Sequence, residues 1–148
     1  MITLRAEKIM EINIQDLMIP GDKVAHVQLG NNLEHALLVL TRTGYTAIPV
    51  LDSSYKLHGL IGTNMIIDAI MGLERIEAER LSEIKVSEVM NFDIPRLKIT
   101  DSAAKGLEIV VDHPFVCVES GDGYFEGIFT RREILKQLDR HVKRLNRG

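Results

Sequence analysis

Apolar residues along the chain switch between two periods. Leu33, Ala36, Leu37 and Leu40 recur at i, i+3, i+4 and i+7, which predicts an amphipathic helix. Asn31, with Glu34 three residues on, predicts its cap, and Gly44 its C-terminal stop. The run from Thr46 to Leu51 is almost wholly apolar and predicts a buried strand. Asp52-Ser53-Ser54 predicts a turn, and Leu57 to Ile61 the returning strand. A second helix is expected from Thr63 or Asn64 to Gly72, and a short extended piece around Val24 to Leu29 leads in.

The same pattern then returns. Val86 to Met90 mirrors Ile14 to Met18, and Ile94 to Ile99 is the extended lead-in. Thr100 or Asp101 is expected to cap a helix whose apolar face is Ala103, Gly106, Leu107 and Val110. Phe115 to Val118 and Phe125 to Phe129 read as strands around the turn Gly121-Asp122-Gly123. A last helix after Thr130 carries Ile134, Leu135, Leu138, Val142 and Leu145. Gly59-Leu60-Ile61-Gly62-Thr63 recurs as Gly127-Ile128-Phe129-Thr130-Arg131, an offset of 68 residues. Two copies of one small unit are expected to pack together, because neither buries its apolar face alone. The expected segments are an N-terminal helix or lead-in (1–13), a first motif (14–73), a bridging helix (74–85), a second motif (86–141) and a C-terminal helix end (142–148). The bridge is assigned as a helix because Leu73, Ile76, Arg80 and Ile84 keep helical spacing.

Composition narrows the classes. The 148 residues are 45% hydrophobic and 26% charged, as in ordinary globular proteins. A net charge of −3 argues against a general nucleic-acid binder. The first ten residues lack the apolar core of a signal peptide, and no apolar run approaches the ~20 residues that span a bilayer. The single cysteine, Cys117, lies in an apolar run and reads as a buried core thiol, which suits a reducing cytoplasm. His26, His35, His58, His113 and His141 show no metal-ligand spacing, so no metal site is expected. No nucleophile–base pattern, phosphate-binding glycine loop or paired carboxylate stands out, so the chain is not expected to be an enzyme.

Gly44-Tyr45-Thr46-Ala47-Ile48-Pro49-Val50 is similar to the G-x-x-x-h-P-h signature of CBS motifs, where h is hydrophobic. Gly59-Leu60-Ile61-Gly62 and Gly127-Ile128-Phe129-Thr130 are similar to the family's G-h-h-T signature, and Met18 and Met90 close each lead-in helix as the family's do. The chain therefore resembles a tandem CBS protein over about residues 14 to 141. The resemblance implies an α/β (α+β) fold, with two CBS motifs packed as a pseudo-twofold Bateman module. Four further stretches resemble the stand-alone CBS proteins of the CbpB or DarB type, which bind cyclic di-AMP. They run from Asp22 to Val27, Asn31 to Leu40, His58 to Met65 and Phe125 to Arg132.

Nucleotide-binding members of the family are expected to hold ligands in clefts between the motifs, with phosphates and ribose at the start of a motif's last helix. In Thr130-Arg131-Arg132-Glu133, Thr130 is a good N-cap and Glu133 completes a capping box. Alternatively, Glu133 occupies the family's ribose-binding acid position. Arg131 and Arg132 stand where the helix dipole disfavours cations by a few tenths to about 1 kcal/mol. An anion would explain them, since helix N-terminal amides and arginine forks both suit phosphate. The plain alternative is two solvated arginines, or one paired with Glu126. The first motif has Met65 at the matching acid position, so one working site is expected.

That site is expected to draw on Lys23 for phosphate, on Ala25 for close approach of a flat base, and on Tyr45, Thr46 and Ala47 at the start of the strand. Solvation, core-rim packing and strand propensity are their plain alternatives. His26, Thr130 and Glu133 are secondary candidates. The resulting expectation is a cytoplasmic second-messenger receptor for cyclic di-AMP whose ligand-free form binds a partner. The alternatives are an AMP- or ATP-sensing CBS module, and an interaction scaffold without a ligand. The resemblance implies a Rel-type (p)ppGpp synthetase/hydrolase of the stringent response and pyruvate carboxylase as partners. It also implies a homodimer, for which the stripes at Ile66, Ile67, Ile70 and at Ile134, Leu135, Leu138 offer contacts. Their alternative is intramolecular core.

Overall fold

The computed structural model of the protein describes residues 11–147. In chain order its elements are α1 (Ile14–Leu17), β1 (Ile19–Pro20), β2 (Val27–Gln28), α2 (Leu33–Thr43), β3 (Ala47–Leu51), β4 (Leu57–Gly62), α3 (Thr63–Ala69), α4 (Val86–Val89), β5 (Arg96–Lys98), α5 (Ala103–Val110), β6 (Phe115–Glu119), β7 (Phe125–Thr130) and α6 (Arg131–Arg147). Single 3-10 turns occupy Gly21–Lys23 and Ala78–Ser82. Residues 1–10 of the expected N-terminal helix, and Gly148, lie outside the described residues.

The chain forms two compact units whose division does not follow the repeat. One unit is Ala25–Ile94; the other joins the chain up to Val24 with the chain from Pro95 onward. Each is a mixed α/β layer with the same plan. In the first, β2 runs parallel to β3 through the α2 crossover, and β3 pairs antiparallel with β4. In the second, β5, α5, β6 and β7 repeat this, and β1 adds an antiparallel edge beside β7.

The lead-in helices explain the mismatch. α1 buries Ile14 and Leu17 with Leu97, Val116 and Phe129 of the second motif. Val86 of α4 is buried with Leu33, Ile48 and Ile66 of the first. Each lead-in thus completes the core of the other copy. The segment after each helix also closes on a strand. Asn91 exchanges both backbone hydrogen bonds with Leu60 (3.0 and 2.9 Å), and Ile19 pairs with Ile128. This crossing accounts for the two repeated glycines. A Cβ on Gly59 would collide with the Asn91 carbonyl oxygen, and one on Gly127 with that of Ile19.

Local expectations shift at the helix caps. Asn32, not Asn31, caps α2, its side chain accepting the His35 amide at 2.9 Å, while Asn31 Oδ1 accepts the Gln28 amide at 2.8 Å. Ser102, not Thr100 or Asp101, caps α5. Gly44 stops α2 as expected, at φ 77°. α3 ends at Ala69, short of Gly72. The expected bridging helix over 74–85 is instead a tight loop followed by the 3-10 turn. Gly72 and Glu77 donate backbone bonds to Arg75 (2.8 Å) and Ile70 (2.7 Å), which closes the chain on itself before a helix can propagate. Ile66, Ile70 and Ile134 are fully buried within their own units, so intramolecular core is the correct assignment for them.

Candidate functional site

Thr130 ends β7 and caps α6, and its Oγ1 accepts the Glu133 amide at 3.0 Å. This fixes the first turn of the longest helix, on which Arg131 and Arg132 stand exposed. Their surroundings differ. Arg131 Nε donates to the Val110 carbonyl at 2.7 Å and Nη2 to that of Val111 at 3.3 Å. Its backbone amide donates to Pro114 at 2.9 Å. The Val110 and Val111 carbonyls close α5, where a helix lacks internal donors and its dipole end favours a cation. Arg131 is therefore anchored to α5, a partner that neither solvent nor Glu126 anticipated. The Arg132 side chain makes no hydrogen bond or ion pair among the described residues, so of the two it is the cation whose place at the unfavourable dipole end calls for an anion.

Arg131 and Arg132 share a groove of about 470 Å³ with Pro114, Leu135, Lys136 and Asp139. Asp139 pairs with Lys143 at 3.0 Å, which leaves the groove's cations in excess. Such a groove suits an anion with an apolar body. Lys136 and Asp139 were not singled out from the sequence. The signal was there: Lys136 lies four residues after Arg132, and Asp139 four after Leu135, so both pairs share a helix face. Leu135 faces this groove and is 54% exposed.

Lys23 does not line the groove. It ends the 3-10 turn that begins at the buried Gly21, which packs against Phe125 of the same unit, and its side chain is exposed. The remaining candidates lie in the other unit. Ala25 and His26 are half-buried ahead of β2, and the His26 ring meets Tyr55 edge-on, with centroids 5.5 Å apart and planes at 83°. Tyr45 and Thr46 are exposed where β3 begins, and Ala47 is half-buried there. Thr46 accepts the Thr63 amide at 3.1 Å, so the start of α3 fixes this edge. Met65, at the position of the absent acid, packs on the core of its unit, which is why no carboxylate stands there.

Cys117 is buried, and burial pushes its thiol up to about 12. Among the described residues no three His, Cys, Asp or Glu side chains converge as metal ligands, and no helix is long and apolar enough to cross a membrane.

The CBS domain family matches residues 14–72 and 86–140. The chain belongs to the CBS-domain family. Its two CBS motifs in tandem make the arrangement called a Bateman module. The cyclic di-AMP receptor B of Bacillus subtilis is 61% identical over 147 residues, covering 99% of this chain and 100% of that protein. A hypothetical conserved protein of Geobacillus kaustophilus has a solved structure with 65% identity and a TM-score of 0.86, covering 89% of this chain and 99% of that one. The CbpB protein of Listeria monocytogenes, solved in complex with c-di-AMP, shows 58% identity and a TM-score of 0.83. The match covers 88% of this chain and 97% of that one.

Proposed function

We propose that this CBS protein is a receptor for cyclic di-AMP that binds the nucleotide without turning it over. The observation that carries the reading is the 61% identity, over nearly the full length of both chains, with a protein named as such a receptor. Likeness to a CbpB protein solved with c-di-AMP supports it. In this reading Arg132 forks onto a phosphate, Arg131 stiffens the turn that presents it and adds its own charge, and Lys23 of the same unit contributes a further cation. Ala25, Tyr45, Thr46 and Ala47 take an adenine, with His26 beside them, while Thr130 and Glu133 order the helix start.

Ligand binding changes which surface a partner meets, and a ligand shifts that equilibrium only through differential affinity. A Rel-type (p)ppGpp synthetase/hydrolase and pyruvate carboxylase are the proposed partners of the ligand-free form, and two copies associate through surfaces other than Ile66, Ile70 and Ile134. The setting is cytoplasmic.

Isothermal titration with cyclic di-AMP, AMP, ATP and cyclic di-GMP tests the reading. Selective binding of cyclic di-AMP is expected. Preference for AMP or ATP makes the protein an energy sensor, and silence with all four leaves a docking scaffold. Arg132→Met should lose a charged hydrogen bond of about 1.5–3 kcal/mol, hence about ten- to 150-fold in affinity. Unchanged affinity in that variant removes Arg132 from the site.

A further inference from the structure

Among the described residues, Tyr55 is the one non-glycine residue with a positive φ, at 70°. Its counterpart 68 residues on is Gly123, at φ 88°. Both sit in the same turn, framed by the irregular pairs Leu51–Leu57 and Glu119–Phe125. Both turns close alike. The Asp52 amide donates to the Lys56 carbonyl and the Tyr55 amide to that of Asp52, each at 3.0 Å. The Ser120 amide donates to the Tyr124 carbonyl at 2.9 Å, and the Gly123 amide to that of Ser120 at 3.0 Å. Glycine enters this left-handed region without steric cost, whereas a bulky side chain does not. The first copy therefore holds an aromatic residue where the backbone favours glycine.

Two features surround that strained residue. The Asp52 carboxylate accepts the amides of Ser54 (2.8 Å) and Lys56 (3.0 Å), and its Oδ2 pairs with His58 Nε2 at 2.8 Å. The Tyr55 ring in turn meets the His26 ring edge-on. In the second copy the residues matching Asp52 and His58 are Ser120 and Glu126, and strand register matches His26 with Arg96. Carboxylate hub, strained aromatic and imidazole occur together in one copy, and all are replaced in the other. Strain that persists against a cheaper local solution is a mark of function.

We propose that Tyr55 is a positioning residue: held left-handed by Asp52 and His58, it fixes the imidazole of His26 for the nucleotide base. The first motif's share of the affinity for cyclic di-AMP then depends on Tyr55 through His26. This rests on the reading of His26 as a ligand contact given above.

The test is a double-substitution cycle by titration with cyclic di-AMP, using the unsubstituted chain, Tyr55→Gly, His26→Ala and the double variant. Tyr55→Gly should keep its stability in urea, since it relieves strain, yet bind roughly tenfold more weakly. The double variant should bind no more weakly than His26→Ala alone. The His26 ring proton resonances should move in Tyr55→Gly without ligand. If that variant fails to fold, Tyr55→Asn, which tolerates the left-handed region, takes its place. Unchanged affinity in the Tyr55 variant, or losses that multiply in the double variant, overturn the positioning role alone. No binding by the unsubstituted chain overturns the receptor reading and this inference together.

Discussion

Arg131 and Arg132 are neighbours in the chain with different surroundings, and substitution should separate them. Arg131→Met removes two hydrogen bonds to the end of α5. It is expected to lower stability to urea by about 1–2 kcal/mol, discounted for the exposure of the guanidinium. Arg132→Met should stay within about 0.5 kcal/mol in the same assay while losing ligand affinity. Asp52 gives a pH-dependent contrast. The His58 hydrogen bond, then the Lys56 amide, hold its carboxyl below the ordinary 3.8. A depressed acid stabilises the fold above the unfolded value and loses that contribution as pH falls through the folded one. Asp52→Asn should therefore be less stable than the unsubstituted chain at neutral pH, and the gap should close below pH 3.8. Acid unfolding of the two proteins side by side measures it. Cys117, with its thiol pushed up to about 12, should resist alkylation at pH 8 until the protein is denatured.

At the scale of elements, the two copies start their last helices differently. Thr130 caps α6 with its hydroxyl, whereas Gly62 gives α3 no side-chain cap. Thr130→Ala should lower stability by about 1 kcal/mol, with the loss of helicity confined to the start of α6. Hydrogen exchange of the Glu133 amide is the direct measure. Gly127→Ala should cost more, about 1–3 kcal/mol in urea, because its Cβ meets a backbone carbonyl that cannot move without unpairing β1. The elements themselves were legible wherever periodicity was long. α2, the two hairpins and α6 follow their apolar stripes, and Gly44 marks its stop. Caps were displaced by one or two residues, because Asn31, Asn32, Thr100, Asp101 and Ser102 all offer the right oxygen. Only the path of the chain selects which one faces the helix. The bridging helix failed for a related reason. Its apolar spacing was real, but the backbone bonds around Gly72 and Glu77 used the groups a helix would need.

Across the whole molecule, ligand binding should appear as stability. Cyclic di-AMP at about a hundred times its Kd should add about 2.7 kcal/mol, a rise in Tm of roughly 5–10 °C for a chain of this size. Thermal unfolding with and without the nucleotide measures it, and no rise would remove the receptor reading. By itself the sequence determined the duplication, the α/β class, the buried thiol and the chemical character of the candidate contacts. Those properties follow from residue type and from periods of two and 3.6, which any local reading recovers. Tertiary structure alone decided that each lead-in helix serves the other copy's core, because a buried stripe does not name its partner. It likewise decided that Arg131 is held by the end of α5, and that Tyr55 is bent left-handed against His26. Those contacts join residues about twenty to thirty positions apart, and the folded path of the backbone, not any pattern along the chain, brings them within reach.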